Sequence, residues 1–378
     1  MELSYWERKT YLSDVDFCII GSGIVGLNAA LYLRNKFPRQ TILVVERGFL
    51  PYGASTRNAG FACFGSVSEL LEDLEKHTEE EVFTLVTKRW NGLQRLRANI
   101  GDRNMSYEGF GGYEIFTKEQ RQLYLNCLDK IDSFNKHLKE ITGVSDVYSN
   151  AHDKIWQFGF NLVSNMIWNR AEGQIDTGMM MDSLLKKVKS VNVQVINGLN
   201  VERFREGNNH AEIIFSEGFA IKAKKLLLAT NGFARLLVPE LNVEPARTQV
   251  LITSPIENLP FKGTFHFDGG YYYFRDIDSR VMLGGGRNSD FKGEQTATFG
   301  LTEQIQSRLE KMLKEVILPE KKFTIEMRWS GIMGLGEKKS AIVKKLSPHV
   351  YCAVRMGGMG IAIGSLIGEE AAELMAGN

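Results

Sequence analysis

The segment 16–46 constrains this chain most, because it reads as a strand, a glycine turn, a helix and a second strand in immediate succession. Residues 17–20 are apolar, as expected for a parallel strand that is buried on both faces. Gly21, Gly23 and Gly26 follow with the spacing G-x-G-x-x-G. Those glycines permit a tight turn, the close approach of a pyrophosphate and the packing of the helix on the strand. The pattern predicts a dinucleotide-binding unit whose helix N-terminus faces the phosphates.

The second strand of this unit, residues 41–46, ends on an acidic residue. Glu46 follows Gly26 by about 20 residues, the distance at which an acidic side chain accepts hydrogen bonds from adenosine ribose hydroxyls. The glycines alone would also suit an ordinary turn between a strand and a helix. Their position between a buried strand and an amphipathic helix, with Glu46 at the right distance, favours a nucleotide cofactor.

Composition indicates a globular protein of about two domains. The 378 residues are 43% hydrophobic, and their formal net charge of +1 argues against nucleic-acid and membrane-surface binding. No apolar run approaches the ~20 residues that span a bilayer, and the N-terminus lacks the order of a secretion signal. The four cysteines are scattered rather than arranged as a disulfide framework. We therefore expect a cytoplasmic protein without a membrane span.

Short motifs for metal or hydrolytic chemistry are missing from the sequence. It contains no C-x-x-C, H-E-x-x-H or G-x-S-x-G, and its six histidines are far apart. Local spacing therefore predicts no metal site, although residues distant in sequence can still meet in a fold.

The order of the remaining elements implies a discontinuous domain. Residues 69–100 read as two helices, with Thr78 capping the second, and residues 349–375 read as a further strand, glycine turn and helix. Residues 247–287 alternate as strands do. We predict an α/β fold with a Rossmann-like FAD/NAD(P)-binding domain and a second, β-rich α+β substrate domain. The predicted ranges are 1–105, 170–232 and 320–378 for the nucleotide domain, and 106–169 and 233–319 for the substrate domain.

Several segments are distinctive beyond the first glycine turn. They are the Ser-x-Arg-Asn-x-Gly loop within 53–60, the segment 229–233, the strands 272–275 and 283–286, and the closing glycine turn 357–360. In this order they resemble the D-amino-acid oxidase superfamily of flavoproteins, which includes glycine oxidase, sarcosine oxidase and γ-glutamylputrescine oxidoreductase. The resemblance covers nearly the whole chain and implies a D-amino-acid oxidase-like fold. Among the branches, the loop and the Gly-Gly-Gly strand are most similar to the γ-glutamylputrescine oxidoreductase type.

The resemblance implies FAD as the cofactor. The contacts it implies are Glu46 at the adenosine ribose, Arg47 and Val201 at the adenine, Gly21, Ser22, Gly23, Ile24 and Gly26 at the pyrophosphate, Ser55, Arg57, Asn58, Gly60 and Phe61 along the ribityl chain and flavin, Gly358, Met359, Gly360 and Ile361 at the pyrimidine edge, and Thr230 and Gly232 in the same site. The helix from Ile361 could stabilise the negative charge that reduction places near N1 and C2=O of the flavin.

Three departures from the family pattern bear on substrate and acceptor. Met333 occupies the place where amino-acid oxidases of this superfamily carry a carboxylate-binding arginine, and a thioether makes no bidentate clamp. A simple amino acid is therefore disfavoured as the substrate. No cysteine lies between Cys127 and Cys352, where relatives attach flavin, so we expect noncovalent FAD. Met282 stands near the position of an oxygen-activating lysine, which leaves oxygen and another electron carrier both open as acceptors.

Candidates for the substrate pocket are Tyr273, Trp329, Met333 and Arg275, and no residue is assigned as catalytic. Strand and core packing would equally account for the aromatic residues. Arg275 and Arg287 could bind an anionic substrate group, but an arginine at a strand end is more often a solvated charge. Cys63 lies in the loop 53–65, where a small buried thiol is the simpler interpretation.

The predicted reaction is oxidation of the C–N bond of a small-molecule amine or N-substituted amino compound, by hydride transfer to flavin N5. It depends on placing the C–H bond near N5 more than on an acid or a base, which fits the lack of an obvious catalytic histidine or carboxylate. A flavin dehydrogenase of 2-hydroxy acids is an alternative and would need a base. A second alternative is a flavoprotein acting on a modified tRNA base, which would need a basic face. A third is a flavin-binding protein with a structural role, whose bound flavin would not be reduced by small substrates.

Overall fold

A computed structural model describes residues 2–377; residues 1 and 378 of the predicted nucleotide domain lie outside the described residues. The described chain forms two eight-stranded sheets and one two-stranded sheet. The strands are β1 (Val15–Ile20), β2 (Ile42–Glu46), β3 (Phe61–Ala62), β4 (Gly112–Thr117), β5 (Tyr148–Asn150), β6 (Val163–Asn169), β7 (Gly173–Gln174), β8 (Gln194–Asn197), β9 (Val201–Glu206), β10 (Ala211–Phe215), β11 (Ala220–Leu228), β12 (Glu244–Thr253), β13 (Thr264–Phe267), β14 (Tyr272–Ile277), β15 (Arg280–Gly285), β16 (Ile325–Leu335), β17 (Ile342–Ser347) and β18 (Val350–Val354). The α-helices are α1 (Tyr5–Glu7), α2 (Ile24–Lys36), α3 (Val67–Lys76), α4 (Glu79–Ile100), α5 (Arg121–Thr142), α6 (Ile155–Phe158), α7 (Thr177–Ser190), α8 (Glu303–Met312) and α9 (Gly360–Ala376).

The first sheet has the strand order β17-β18-β11-β1-β2-β8, with β10 and β9 continuing antiparallel from β11. Its neighbours from β18 to β8 pair in parallel, and β17 is an antiparallel edge strand. Cys18 on β1 pairs with Leu226 on one side and Leu43 on the other. This is the central parallel sheet that the βαβ pattern predicts.

The two faces of the first sheet pack against different elements. Ile19 and Val44 lie in a core shared with α2, α4, α7 and α9. Cys18 and Leu43 face the opposite side, in a core shared with β10 and β11. Both faces are therefore buried, which explains why the β1 sequence is apolar without alternation.

The second sheet has the strand order β16-β12-β15-β14-β13-β4-β6-β5. Its strands pair antiparallel except β13 with β4. Helix α8 packs into a core with Phe265 and Leu283 on one face. Helices α3, α4 and α5 form another core with Phe116 and Ile167. With the first sheet, this confirms the predicted mixed α/β fold.

The second sheet also includes a strand from the C-terminal third of the chain. Strand β16 pairs with β12 along its length, from Leu335 opposite Glu244 to Ile325 opposite Thr253. The range 325–335 thus belongs to the second sheet, although the sequence analysis assigned it to the nucleotide domain. The division into domains stays a prediction.

Helix boundaries follow their capping residues. Ser66 and Glu69 form a capping box at the start of α3, and Thr78 and Glu81 form one at the start of α4. Thr78 therefore caps the second of two helices, as predicted. Within residues 2–377, every helix is too short or too polar to cross a membrane.

Candidate functional site

A cavity of about 820 Å³ lies where the first sheet, the loop 51–63 and the second sheet meet. Its glycine end is lined by Gly21, Glu46, Arg47 and Val201, beside the carboxyl ends of β1 and β2. Its aromatic end is lined by Phe61, Thr248, His266 and Tyr273. The volume lies within the range of cofactor and ligand sites, and the glycine end has the position expected for a nucleotide.

The first glycine turn is shaped by contacts that leave no room for side chains. Gly21 has φ of +105°, and a Cβ atom there would lie 2.7 Å from the carbonyl oxygen of Ala229. A Cβ atom at Gly26 would collide with the carbonyl oxygen of Gly21. The turn therefore needs glycine at both positions, and α2 begins directly against the end of β1.

Glu46 ties the end of β2 to the glycine turn. Its Oε2 accepts hydrogen bonds from the backbone N–H and the hydroxyl of Ser22, both at 3.1 Å, and its Oε1 accepts from Gly48 N–H at 3.0 Å. The carboxylate is 7% exposed and lines the cavity. Its Oε1 also accepts from Tyr52 N–H over a long 3.4 Å, and the hydroxyl of Ser22 can turn away, so the group can accept from ribose hydroxyls at this place.

The N-terminus of α2 opens into the cavity beneath the predicted flavin loop. The Ile24 N–H donates to Ser55 Oγ at 3.0 Å, and a Cβ atom at Gly23 would lie 2.8 Å from that oxygen. Thr230 Oγ1 lines the same space and has no hydrogen-bond partner among residues 2–377. Backbone N–H groups and hydroxyls at a helix N-terminus fit a phosphate group.

The loop 55–61 is held by its own polar side chains. Arg57 Nη1 donates to Ser330 O at 2.9 Å, and Trp329 Nε1 donates to Arg57 O at 3.0 Å. Asn58 Oδ1 accepts from Gly60 N–H at 2.8 Å and from the Thr177 hydroxyl at 3.0 Å. Trp329 thus holds the loop without lining the cavity, whereas Arg57 and Asn58 line it.

The second glycine turn brings another helix N-terminus to the cavity. Gly357 and Gly358 have φ of +60° and +82°, and α9 begins at Gly360. The turn is fixed by Asn231 Oδ1, which accepts from Met356 N–H at 3.0 Å. A Cβ atom at Gly358 would lie 3.5 Å from Met333 Sδ, so Met333 lies beside this turn. The dipole of α9 therefore favours negative charge in the cavity.

The structure brings most of the predicted site residues together. The predicted residues on the cavity wall are Gly21, Gly23, Ile24, Glu46, Arg47, Ser55, Arg57, Asn58, Phe61, Val201, Thr230, Tyr273, Met333, Gly358, Met359, Gly360 and Ile361. Ser22, Gly26, Gly60 and Gly232 lie directly behind it, where Gly60 packs on the Ile175 carbonyl and Gly232 on the Met333 carbonyl. Their cofactor contacts stay predictions.

Arg275 lies behind the wall and is 3% exposed. Its Nη1 donates to the carbonyl oxygens of Ile175 at 2.7 Å, Gly60 at 3.2 Å and Ala59 at 3.3 Å. Burial lowers the pKa of its guanidinium to about 10. The side chain fastens the loop 55–61 to the strand β14, with Nη1 and Nε both donating to backbone carbonyls.

Tyr273 and Phe61 form the aromatic end. The Tyr273 hydroxyl lies 2.9 Å from Thr248 Oγ1, and burial raises the pKa of this phenol. The Phe61 ring meets the Tyr273 ring edge-on at 5.6 Å and the His266 ring at 5.2 Å. Tyr273 therefore keeps its proton at neutral pH and can donate or accept a hydrogen bond.

A buried ion pair adjoins this end, and the sequence analysis did not include it. His266 Nε2 lies 3.2 Å from Glu172 Oε2, and the two residues are 5% and 1% exposed. Burial opposes the charged imidazolium, but the hydrogen bond and charge of Glu172, with the charges of Glu69 and Glu114, raise the pKa of His266 to about 9. The histidine is therefore protonated at neutral pH.

Strand pairing explains how these residues meet. Ala62 pairs with Gly173, which sets Cys63 beside Glu172, and His266 pairs with Glu114 on one side and Tyr273 on the other. The ligand atoms of Cys63, Glu172 and His266 lie within 4.8 Å of one another. These three residues form no local motif in the sequence. One signal could have indicated His266: in a strand, its side chain lies on the face opposite to that of the core residue Phe265.

Comparisons with known proteins agree with this geometry. The sequence model of the family described as DAO: FAD dependent oxidoreductase matches residues 16–374. The probable oxidoreductase OrdL of Haemophilus influenzae is 21% identical over 385 residues, covering 98% of this chain and 84% of that protein. L-proline dehydrogenase from P. horikoshii has a TM-score of 0.74 at 17% identity, covering 96% of this chain and 93% of the other. Iminodiacetate oxidase from Chelativorans sp. BNC1 has a TM-score of 0.73 at 18% identity, with 96% and 95% covered.

Proposed function

This chain belongs to the DAO family of FAD dependent oxidoreductases, and on that premise we propose that it oxidises the C–N bond of an amine or N-substituted amino compound. One observation carries the proposal. A single cavity joins the glycine end, with the α2 N-terminus, to the aromatic end past the N-terminus of α9. A cofactor bound along it would place its nucleotide at Gly21 and Glu46 and its reactive ring by Phe61 and Tyr273.

FAD supplies the electron acceptor when bound, with N5 of its ring taking the hydride. We propose that Glu46 binds the ribose hydroxyls, that the N–H groups of α2 with Ser55 bind the pyrophosphate, and that Arg57 and Asn58 flank the ring. The N-terminus of α9 favours the negative charge that reduction adds. Cofactor attachment in this proposal is noncovalent.

The aromatic end would orient the substrate and exclude water. Phe61 and Tyr273 form a wall with rings at about right angles, against which an amine carbon can be held. The Tyr273 hydroxyl, fixed by Thr248, can accept a hydrogen bond from the substrate nitrogen. Two neighbours in the fold carry the names L-proline dehydrogenase and iminodiacetate oxidase, and both named compounds have an N-substituted amino nitrogen.

Oxidation of a 2-hydroxy acid would need a different arrangement. That reaction requires a base to take the hydroxyl proton. His266 is the histidine on the cavity wall at the aromatic end, and Glu172 keeps it protonated at neutral pH. An imidazolium cannot act as that base, so the site favours the amine.

Finer assignments complete the proposal. The Ser-x-Arg-Asn-x-Gly loop supports a relationship to the γ-glutamylputrescine oxidoreductase type, and the electron acceptor is oxygen or another carrier. All four cysteines are free thiols, which suits the cytoplasm.

The test is anaerobic mixing of the holoenzyme with a panel of polyamines, N-methyl amines, amino acids and 2-hydroxy acids. The visible absorbance of the bound flavin is followed, and air is then admitted. We expect bleaching by an amine or N-substituted amino compound, and fast recovery in air would distinguish an oxidase from a dehydrogenase. Bleaching by hydroxy acids alone would overturn the proposal, and no bleaching at all would point to a macromolecular substrate or a non-catalytic role.

A further inference from the structure

Three side chains with metal-binding atoms meet beside the aromatic end of the cavity. They are Cys63 after β3, Glu172 before β7 and His266 on β13, and one ligand atom of each lies within 4.8 Å of the other two. The three residues are 6%, 1% and 5% exposed. Each belongs to a different segment of the chain, so the fold itself assembles this buried group.

We infer that this group is a zinc site, with Cys63, Glu172 and His266 as its three protein ligands. Thiolate, carboxylate and imidazole are the ligands that zinc takes in proteins, and sites with three of them keep a fourth position open. Magnesium and calcium take oxygen ligands, so the sulfur of Cys63 disfavours both. The inference stands apart from the proposed reaction, because it concerns metal binding and no step of amine oxidation.

The spacing of the ligand atoms is close to that of a tetrahedral ion. His266 Nε2 lies 3.2 Å from Glu172 Oε2, and two such ligands on zinc lie about 3.3 Å apart. The sulfur of Cys63 would lie roughly 3.5 Å from each, so it approaches by at most roughly 1.3 Å. A turn about the Cα–Cβ bond of Cys63 supplies such a shift. Its present neighbour, Met359 Sδ at 3.9 Å, is a weak acceptor, so the turn costs little.

Glu172 supplies a second observation that points to a ligand. Its Oε1 is buried and lacks a hydrogen-bond partner among residues 2–377. A buried charged oxygen without a partner carries a desolvation penalty that a bound cation would offset. A void of about 10 Å³ borders Glu172 and His266, with room for about one water-sized group. The group can therefore admit an ion without repacking of the surrounding core.

The charges around the group favour a cation. The carboxyl groups of Glu69, Glu114 and Glu172 act on His266, and the guanidinium of Arg89 acts on Cys63. Arg89 also donates a hydrogen bond to a backbone carbonyl at 2.9 Å. Three carboxyl groups thus accompany one arginine, and a divalent cation among them gains more attraction than repulsion.

Zinc would replace two protons at this place. The Cys63 thiol and the His266 imidazolium each release one proton to solvent as Sγ and Nε2 bind the ion, and the Glu172 carboxylate binds without releasing one. Two positive charges leave and two arrive, so the net charge of the buried group does not change. A metal-bound Nε2 has no free lone pair, so His266 still cannot serve as the base for a 2-hydroxy acid.

The ion would join three separate parts of the chain. Cys63 belongs to the loop 53–65, Glu172 to the segment before β7, and His266 to the second sheet. Cys63 and His266 also line the cavity, so water can reach the fourth position from there. Zinc at this place would therefore hold the loop on the second sheet at the aromatic end.

A single water molecule is the rival occupant of the void. Water could donate to Glu172 Oε1 and accept from Asn169 Nδ2, which also borders the void and lacks a partner in the part of the chain that the structure describes. Water would leave Cys63 an ordinary buried thiol and the pair of His266 and Glu172 intact. The two occupants therefore differ in whether the group binds zinc.

The experiment dialyses the FAD-loaded holoenzyme against buffered zinc and measures zinc per flavin by elemental mass spectrometry. We expect one zinc per flavin. Cys63→Ala should weaken zinc binding by more than the roughly 10- to 100-fold that is lost with a residue that only supports a ligand. Cys352→Ala, at another buried free thiol, should keep the zinc. Less than stoichiometric zinc in the unaltered protein, or zinc retained in Cys63→Ala, would overturn the inference.

A histidine on the surface provides the control for adventitious zinc. His137 Nε2 lies 3.0 Å from Glu79 Oε1, in a pair whose side chains are 37% and 63% exposed. His266→Asn should lose the zinc, and His137→Asn should keep it. The opposite result would place the ion at the surface and overturn the inference.

Cadmium tests the site without any substitution. A thiolate that binds cadmium gives a sulfur-to-metal charge-transfer band in the ultraviolet, which a difference spectrum of the holoenzyme isolates from the flavin. We expect the band to saturate at one equivalent of cadmium, and its absence would contradict ligation by Cys63. Neither measurement needs turnover, so a flavin that no amine bleaches would reject the proposed reaction and leave the zinc site standing.

Discussion

Arg275 donates a hydrogen bond from Nη1 to the carbonyl oxygen of Ile175 over 2.7 Å, and this contact joins β14 to the segment that precedes α7. The same nitrogen donates to the carbonyl oxygens of Ala59 and Gly60 in the loop 55–61. The sequence analysis considered the Arg275 guanidinium as a possible binding group for an anionic substrate. In the structure this guanidinium instead holds the cavity wall together. Backbone carbonyls accept its hydrogen bonds, and the charges of Asp276, Glu108 and Asp176 partly offset the cost of burying the guanidinium.

Replacing this guanidinium should therefore destabilise the protein. Arg275→Met keeps much of the side-chain volume but leaves buried carbonyls without donors, which should lower the free energy of unfolding by about 3 kcal/mol. Arg287→Met, at a half-exposed position, should change it by less than about 0.5 kcal/mol. Urea unfolding of both variants, followed by circular dichroism, measures the difference. An Arg275→Met protein of unaltered stability that has lost only carboxylate binding would make Arg275 a substrate residue.

Local patterns predicted the first glycine turn and the acidic residue beside it, because these residues are close in sequence. Gly21, Gly26 and Glu46 belong to one βαβ unit, so their meeting follows from a strand, a turn and a helix. Capping at Thr78 is likewise decided within one helical turn.

The aromatic end depends on pairings between distant strands, which one sequence does not specify. Glu172 meets Cys63 through the short pair β3 and β7, and His266 lies next to Glu114 because β13 joins β4 in parallel. The contacts of Arg275 are also long-range, because the carbonyls of Ala59, Gly60 and Ile175 become its neighbours only when the loop 55–61 and the segment after β7 pack on β14. The positions of these groups depend on the register of pairing between distant strands, and not on the secondary-structure propensity of each segment.

The first glycine turn offers a matched test of close packing. A Cβ atom at Gly26 would collide with the Gly21 carbonyl, whereas a Cβ atom at Gly53 would have nothing within 4 Å. Gly26→Ala should therefore lower the free energy of unfolding by about 1–3 kcal/mol and weaken FAD binding, because the turn must shift. Gly53→Ala should stay within about 0.5 kcal/mol. Thermal unfolding with and without added FAD compares the two, and equal stability would contradict the packing argument.

Glu114 should make stability depend on pH. Burial raises the pKa of its carboxyl from 4.5 to about 7, although Ser68 donates to it through both N–H and hydroxyl. The folded state thus binds the proton more tightly than the unfolded state. The contribution of Glu114 to the free energy of unfolding is complete below about pH 4.5 and is lost as the pH rises through 7.

Glu114→Gln removes that titration. The variant should therefore gain stability relative to the unaltered protein between pH 5 and pH 8, by up to about 3 kcal/mol. Because the charge of Glu114 also helps to raise the pKa of His266, the measured difference includes the change at His266, and Glu114→Gln is compared with His266→Asn to separate the two. Urea unfolding at the two pH values measures the effect, and a difference that does not change with pH would show that Glu114 has an ordinary pKa.

Noncovalent attachment of FAD can be tested at Cys63, the thiol on the cavity wall. Thioether formation needs a thiolate, and burial, with the charges of Glu172 and Glu69, raises the pKa of this thiol well above its usual value. Met359 Sδ, 3.9 Å away, adds an apolar neighbour that favours the neutral form. Acid precipitation of the holoenzyme should therefore leave a colourless pellet and release all the flavin into the supernatant. A yellow pellet that becomes colourless in Cys63→Ser, but not in Cys352→Ser, would instead show a covalent bond at Cys63.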